Sequence, residues 1–310
     1  MNRVLKILKD PRLLFFTLAH RGLLNFVNDE TFIKIAYRLK MGKRLELTPP
    51  VTFNEKLQWL KLYDRQPIYT KLVDKILVKE YVAQIIGREF IIPTYGVWDK
   101  AEDIDFQSLP SKFVLKVNHN SGGLVICTNK SIFNIKESIK KLDYALNHNY
   151  FCEQREWPYK DVPPKIFAEK YMEDAETKEL RDYKFLCFHG VPKIMFIASE
   201  RQSIVEETKF DFFDMDFKHL EIKNGHPMAN IPPEKPRNFD LMKKLAEKLS
   251  KDIPHVRVDF YEVNGKVYFG ELTFTHWSGL VPFEPEKWDH ILGSWIDLSK
   301  VNKDNGEPKN

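Results

Sequence analysis

Apolar positions follow a helical spacing in the first part of the chain and a strand spacing in much of the rest. Residues 1–66 read as mostly helical, with a break at Thr48-Pro49-Pro50. Thr52 followed by Glu55 is a capping-box pattern, so a helix is expected to start there. Residues 74–86 read as a further helix, ended by Gly87. Beyond it, β-rich runs predict strands at 113–117, 124–127, 165–171, 182–188, 193–197, 256–263 and 266–274, with helices at 132–148 and 239–249. His189-Gly190-Val191-Pro192 predicts a turn. This order predicts α+β layers rather than a regularly alternating α/β sheet.

Composition narrows the class. Among 310 residues, 48 basic against 44 acidic give a formal net charge of +4, too balanced for a dedicated nucleic-acid binder. Cys127, Cys152 and Cys187 are odd in number and lack C-x-x-C spacing, as expected of reduced thiols in the cytoplasm. No apolar run is long enough to span a bilayer. Residues 4–27 interleave many apolar residues with Lys6, Lys9, Arg12 and Arg21 around Pro11. They could lie on the inner face of the membrane as a peripheral basic amphipathic segment. A helical pair packed on the protein's own core is the preferred reading.

Three stretches carry candidate chemistry. In Lys116-Val117-Asn118-His119-Asn120-Ser121-Gly122-Gly123 a strand delivers a lysine to a small polar loop with two glycines. Such a loop brings backbone N–H groups close to phosphate oxygens, and the lysine adds a point charge. A plain Gly-Gly hairpin turn is the alternative. In the C-terminal hairpin, Arg257 and Asp259 share one strand face, and Glu271 and Thr273 share a face of the next. Carboxylates inside apolar strands need partners, and Mg²⁺ is one that takes hard oxygen ligands. A structural Arg–carboxylate cluster is the other reading. A two-residue Asn264-Gly265 turn would set Asp259 opposite Gly270 and send Glu271 to the other face. A three-residue Val263-Asn264-Gly265 loop would set Arg257 opposite Glu271 with Asp259 beside them, and this version is predicted. The third stretch, Ile166-Phe167-Ala168-Glu169-Lys170-Tyr171-Met172, is an apolar strand whose exit could offer backbone groups to an adenine edge.

Taken in order, these pieces resemble the ATP-grasp enzymes, and more closely their TupA-like branch, associated with teichuronopeptide and other surface-polysaccharide synthesis. The phrases TFNEKLQWLKLYDRQPIYTKLVDK, IIPTYGVWD, SLPSKFVLKVNHNSGG, EWPYKDVPPKI, DYKFLCFHGVPK and VRVDFYEVNGKVYFGELTF carry the likeness, over roughly residues 45–298. The resemblance implies an α+β ATP-grasp fold in which two subdomains, 67–164 and 165–298, clamp ATP. A helical region, 1–66, would stand where relatives carry a Rossmann-like domain, and 299–310 would be a polar tail. Lys75 and Lys116 would hold phosphates under the loop of Asn118, His119, Ser121, Gly122 and Gly123. Glu169, Lys170, Tyr171 and Met172 would line the adenine slot, Asp182 would meet the ribose, and Lys184 would join the ATP site. Asp259 and Glu271 would hold Mg²⁺, with Thr273 a weaker ligand where relatives often have Asn. Arg257 would face the transferred phosphate and the acyl group.

The implied activity is ATP-dependent ligation of a carboxylate to an amine through an acyl-phosphate, without a covalent nucleophile. The expected substrates are a uronic acid and an amino acid. Arg257 or the Ser278-Gly279 backbone would stabilise the oxyanion. Trp157-Pro158-Tyr159 could cover the site, and His276-Trp277 could border the acceptor pocket. One rival is a capsule or O-antigen glycosyltransferase, whose Asp-x-Asp motif has one literal instance, Asp214-Met215-Asp216. The preferred reading of that instance is a loop packing Phe210, Phe212, Phe213 and Phe217 under exposed acids. A kinase-like or non-catalytic ATP-binding protein is the other rival.

Overall fold

The computed structural model describes residues 10–120, 122–177, 179–200 and 207–301. Ser121, the residues of the 4–27 segment before Asp10, and the tail beyond Val301 lie outside the described residues. Two antiparallel sheets organise the chain. The first has the order β1-β4-β2-β3, from β1 (Thr94–Trp98), β2 (Phe113–Val117), β3 (Val125–Cys127) and β4 (Ile166–Lys170). The second has the order β10-β9-β5-β6-β7-β8, from β5 (Asp182–Phe188), β6 (Val191–Ser199), β7 (Lys209–Asp214), β8 (His219–Leu220), β9 (His255–Val263) and β10 (Lys266–Thr273). Among the described residues, no helix is long and apolar enough to cross a membrane.

Among the described residues five α-helices precede the sheets, of which the first three are α1 (Pro11–His20), α2 (Asp29–Met41) and α3 (Phe53–Tyr63). The capping box at α3 forms, with Thr52 and Glu55 each accepting the other's backbone N–H. The expected helix over 74–86 appears as α5 (Leu77–Ile86), and a separate short helix, α4 (Pro67–Val73), stands before it. Asp74 separates the two: its carboxylate accepts the N–H groups of Ile76 and Leu77 and starts a new helix, leaving Lys75 in the turn. After α1 the chain forms turns through residue 27, and the part of the expected helical pair before residue 10 lies outside the described residues. Ala19 is buried, and Phe15, Phe16, Leu24 and Val27 pack on the core, while Leu13, Leu23 and Phe26 are exposed.

The second sheet is covered on both faces, which is why β5 is buried at every position. One face packs on α4, α5 and α8 (Phe239–Leu249), through residues such as Phe185, Met195, Val258 and Met242. On the other face, Leu186, Phe188, Phe196 and Phe212 pack against the N-terminal helices. Residues 182 and 184 share this face with Leu186 and Phe188. It is therefore apolar at one end and charged at the other. α6 (Ile135–Leu146) covers the first sheet through Leu142 and Ala145.

Three expectations need correction. β4 is hydrogen-bonded to β1 and β2, and α4–α5 pack on the second sheet, so pairing and packing divide the chain differently from a boundary at 165. The stretch around 209–214 is a strand, not a loop: Phe210 and Phe212 enter one core and Phe213 the other, an alternation hidden by aromatics on both faces. The C-terminal hairpin has the two-residue turn, with Asn264 and Gly265 both at positive φ and Lys266 opposite Val263. The register then slips at Gly270, so Glu271 stands opposite Asp259 and Thr273 opposite Arg257. The extra residue is a bulge inside the strand rather than in its turn. Gly270 permits it, since a Cβ there would lie 3.1 Å from the Asp259 carbonyl oxygen.

Candidate active site

The bulge and the covered face together build a charged cluster. Arg257 donates from Nε and Nη2 to the two oxygens of Asp259, each at 2.7 Å. Its Nη2 also reaches Glu271 at 3.1 Å and Thr273 at 3.0 Å. Its Nη1 donates to His276 Nδ1 at 3.0 Å. His276 Nε2 therefore carries the proton, which it gives to Asn224 Oδ1 at 2.8 Å. Burial and the neighbouring Arg257 hold that imidazole neutral, far below its ordinary range. Lys184 closes the cluster by donating to Asp259 and lying 3.3 Å from Asp182. Burial alone would raise the Asp259 carboxyl, but Arg257 and Lys184 override it and hold it down. Asp259 and Glu271 thus point to the same side of the sheet.

A cavity of about 610 Å³ lies between this cluster and the first sheet. Lys75, Lys116, Gly122, Glu169, Lys170, Tyr171, Met172, Asp182, Lys184 and Glu271 all line it, from both sheets and the turn before α5. Lys116 donates to Glu169 at 2.6 Å, and Lys75 donates to the carbonyl of Asn120 at 2.7 Å. Burial pushes the Lys75 and Lys184 ammoniums down from their ordinary range.

Other candidates stand behind the cavity rather than in it. Asn118 is fully buried; its amide donates to Asp74 and Pro163, and its oxygen accepts from Lys165 N–H. The loop is thereby pinned to both flanking segments. His119 turns toward α6, with Nε2 3.2 Å from the His148 carbonyl, and burial lowers its basicity. Gly123 has φ +70, and a Cβ there would lie 2.5 Å from Ala145 Cβ, so it lets the loop pack on α6. The Lys170 N–H is bonded to Pro93 O, which removes it as an adenine donor and leaves Tyr171 and Met172. The Ser278 N–H is held by Thr275 O, which removes that donor from the expected oxyanion partners. Asp214 accepts the N–H groups of Asp216 and Lys218, so the Asp-x-Asp triplet is a turn.

Lys79 was not singled out from sequence. It lies 2.6 Å from Glu169, opposite Lys116, and its position four residues after Lys75 was the available signal. Lys61 and Glu156, both buried near the second-sheet cluster, gave no local pattern at all.

A family profile described as TupA-like ATPgrasp matches residues 55–297. The chain belongs to this family. It has the ATP-grasp fold and is an ATP-grasp ligase, with ATP-dependent joining of a carboxylate to an amine as its general reaction. Among solved structures, D-alanine-D-alanine ligase from Helicobacter pylori is similar at 14% identity and TM-score 0.40, over 86% of this chain and 69% of that one. D-alanyl-alanine synthetase A from Vibrio cholerae is similar at 14% identity and TM-score 0.42, over 90% and 74%. The ATP-grasp ligase PsnB, in complex with a precursor variant, Mg and ADP, is similar at 10% identity and TM-score 0.44, over 80% and 66%. Comparison with curated proteins gives no match.

The residues suit the co-substrate and metal that the family implies. Glu271, with a third of its side chain open, and Thr273 offer hard oxygen donors of the kind Mg²⁺ takes, while Asp259 is fully buried with both oxygens on Arg257 and Lys184 and joins them only if those pairs open. The cavity has lysines from three strands and the turn before α5, and an apolar wall of Ile92, Phe167 and Met172.

Proposed function

We propose that the protein uses ATP to activate the carboxylate of a hexuronic acid and couples it to the amine of an amino acid, in surface-polysaccharide biosynthesis. The observation that carries the reading is the single cavity lined together by Lys75, Lys116, Lys184 and Glu271. ATP, the co-substrate, supplies the γ-phosphoryl group that turns the carboxylate into an acyl-phosphate, from which the amine then displaces phosphate. Mg²⁺ held by Asp259 and Glu271, with Thr273 beside them, would neutralise phosphoryl charge.

The remaining work belongs to the chain itself. Lys75 and Lys116 orient the phosphates. Ile92, Phe167 and Met172 exclude water from the base, and Tyr171 and Met172 present the backbone that follows β4. Asp182 is placed for the ribose, with Lys184 beside it. Arg257, fixed by Asp259, Glu271, Thr273 and His276, is held ready for the developing oxyanion without reorganising. No nucleophilic side chain is required.

ADP release should depend on both a uronic acid and an amine. Release that needs neither, or none with any pairing, would count against this function. The glycosyltransferase alternative predicts thermal stabilisation by UDP instead of ATP–Mg²⁺.

A further inference from the structure

A second cavity, of about 700 Å³, adjoins the first and shares Lys75, Lys184 and Glu271 with it. Its volume suits a monosaccharide with a small partner. Unlike the nucleotide cavity, it is walled by aromatic rings, among them Tyr159, Phe196, Phe210 and Trp277, with Arg257 and Thr273 at its charged end.

The Trp277 wall rests on unusual backbone. Trp277 (φ 48, ψ 27), Ser278 (φ 56, ψ 15) and Gly279 (φ 64) are left-handed in succession, and two of them carry a Cβ. Each non-glycine residue so placed is strained, and persists only where its surroundings over-determine it. Buried side chains of α3 do so. Gln58 donates to the carbonyls of Ser278 and Gly279 at 2.9 and 2.8 Å. Lys61 donates to the Ser278 carbonyl and hydroxyl at 2.7 and 2.8 Å. Thr275, at the start of the turn, donates to buried Glu156. The turn keeps an indole at a fixed angle on the cavity wall. Phe210 stacks behind it at 6.0 Å and 28°. Gly225, at φ +81, makes room for it, since a Cβ there would meet the ring at 3.0 Å. Even so, Trp277 remains 39% exposed.

We propose that this cavity binds the carboxylate co-substrate as a pyranose ring, whose apolar C–H face stacks on Trp277 while its carboxylate reaches Arg257. A pyranose has hydroxyls around its rim and hydrocarbon on its face, so it needs a flat apolar surface next to fixed polar groups. A rigid indole beside Arg257 and Thr273 supplies both. A short linear amino acid has no face for such a surface. Trp277 is then the residue that sets specificity for a ring. This assignment rests on the ligase reading and concerns which group occupies the second cavity.

The test is isothermal titration of D-glucuronate into the full chain saturated with ADP–Mg²⁺, for wild type, Trp277→Ala and Trp277→Phe. Methyl β-D-glucuronide and UDP-glucuronate serve as further probes for glycan-borne and nucleotide-borne rings. The expected result is binding that weakens at least tenfold in Trp277→Ala and at most threefold in Trp277→Phe, with ADP affinity unchanged in both. The ADP affinity shows that each variant is folded. No binding of any of these probes to wild type, or equal binding by wild type and Trp277→Ala, overturns the proposal. The ligase reading is judged separately, by uronate- and amine-dependent ADP release from wild type. Turnover with an unaffected alanine variant would refute the stacking alone.

Discussion

Glu169 lies between two ammonium groups, 2.6 Å from Lys79 and 2.6 Å from Lys116, with 7% of its side chain exposed. Glu169→Gln removes that charge and leaves both lysines facing a neutral amide. Breaking a buried pair in this way costs about 3–5 kcal/mol. The lysine side chains are 16% and 26% exposed, so water offsets part of the loss, and the lower end, about 3 kcal/mol, applies. For a chain of this size that is a fall of about 6 °C in Tm. Adding a non-hydrolysable ATP analogue with Mg²⁺ supplies new negative charge to the released Lys116. The nucleotide-induced rise in Tm should therefore be larger in the variant than in wild type. The pH dependence has a definite sign. Burial would raise the Glu169 carboxyl, yet Lys116 and Lys79 hold it below its ordinary 4.5. A carboxyl depressed in the folded state adds stability above its unfolded value and loses it as the pH falls through the folded one. The gap between wild type and variant should be full at neutral pH and shrink in acid. Thermal unfolding with and without nucleotide measures all of this. An unchanged Tm without nucleotide, or equal nucleotide shifts in the two proteins, would refute the reasoning.

Lys116→Ala should lower kcat/KM for ATP by about 100-fold, or about 3 kcal/mol, with little loss of Tm because Glu169 keeps Lys79. Asp259→Asn should abolish ADP release and also lower stability by about 3 kcal/mol in denaturant melts, since Arg257 and Lys184 both lose a buried partner. Gly270→Val should crowd the Asp259 backbone, cost about 1–3 kcal/mol, and raise KM for ATP by disturbing the slip that aims Glu271. Burial pulls Lys61 down to about 8 from 10.5, so between those values the unfolded chain binds the extra proton and stability rises with pH. The stability of wild type relative to Lys61→Met should accordingly rise by about 2 kcal/mol from pH 8 to pH 10, and a constant difference would contradict it.

Much of this was legible where the chemistry is local. The capping box at Thr52 and Glu55, the strand 182–188 and the helix 239–249 each follow from patterns within a dozen residues. Asp259 and Glu271 were also expected on one face, because charges inside apolar strands must find partners. Their register was misassigned because two devices give the same parity. A bulged turn and a mid-strand bulge at Gly270 both bring Glu271 to the Asp259 side, and they differ only in the residue it faces. The pattern of alternation reports faces and not partners. β7 was hidden for the opposite reason: with both faces buried, apolar alternation disappears from the sequence. Lys61, Gln58 and Glu156 act through contacts between residues more than 90 positions apart, which no local spacing encodes.

On the proposed reading, the ion pairs also bear on how a nucleotide would enter. Lys79 and Lys116 are committed to Glu169, Lys184 to Asp259, and Arg257 to Asp259 and Glu271. Lys75 differs, because its ammonium rests on the Asn120 carbonyl, a neutral acceptor, while burial already disfavours its charge. A phosphate approaching Lys75 meets a desolvated cation without first separating it from a carboxylate, so most of the attraction is realised as binding. At Lys116 the same approach must compete with Glu169, and the net gain is the difference between two partners. The cleft therefore holds exchangeable pairs and, at Lys75, a cation resting on a weak partner. Polyphosphate charge is drawn first to the turn before α5, and it becomes fully matched only when the pairs at Glu169 and Asp259 rearrange around it.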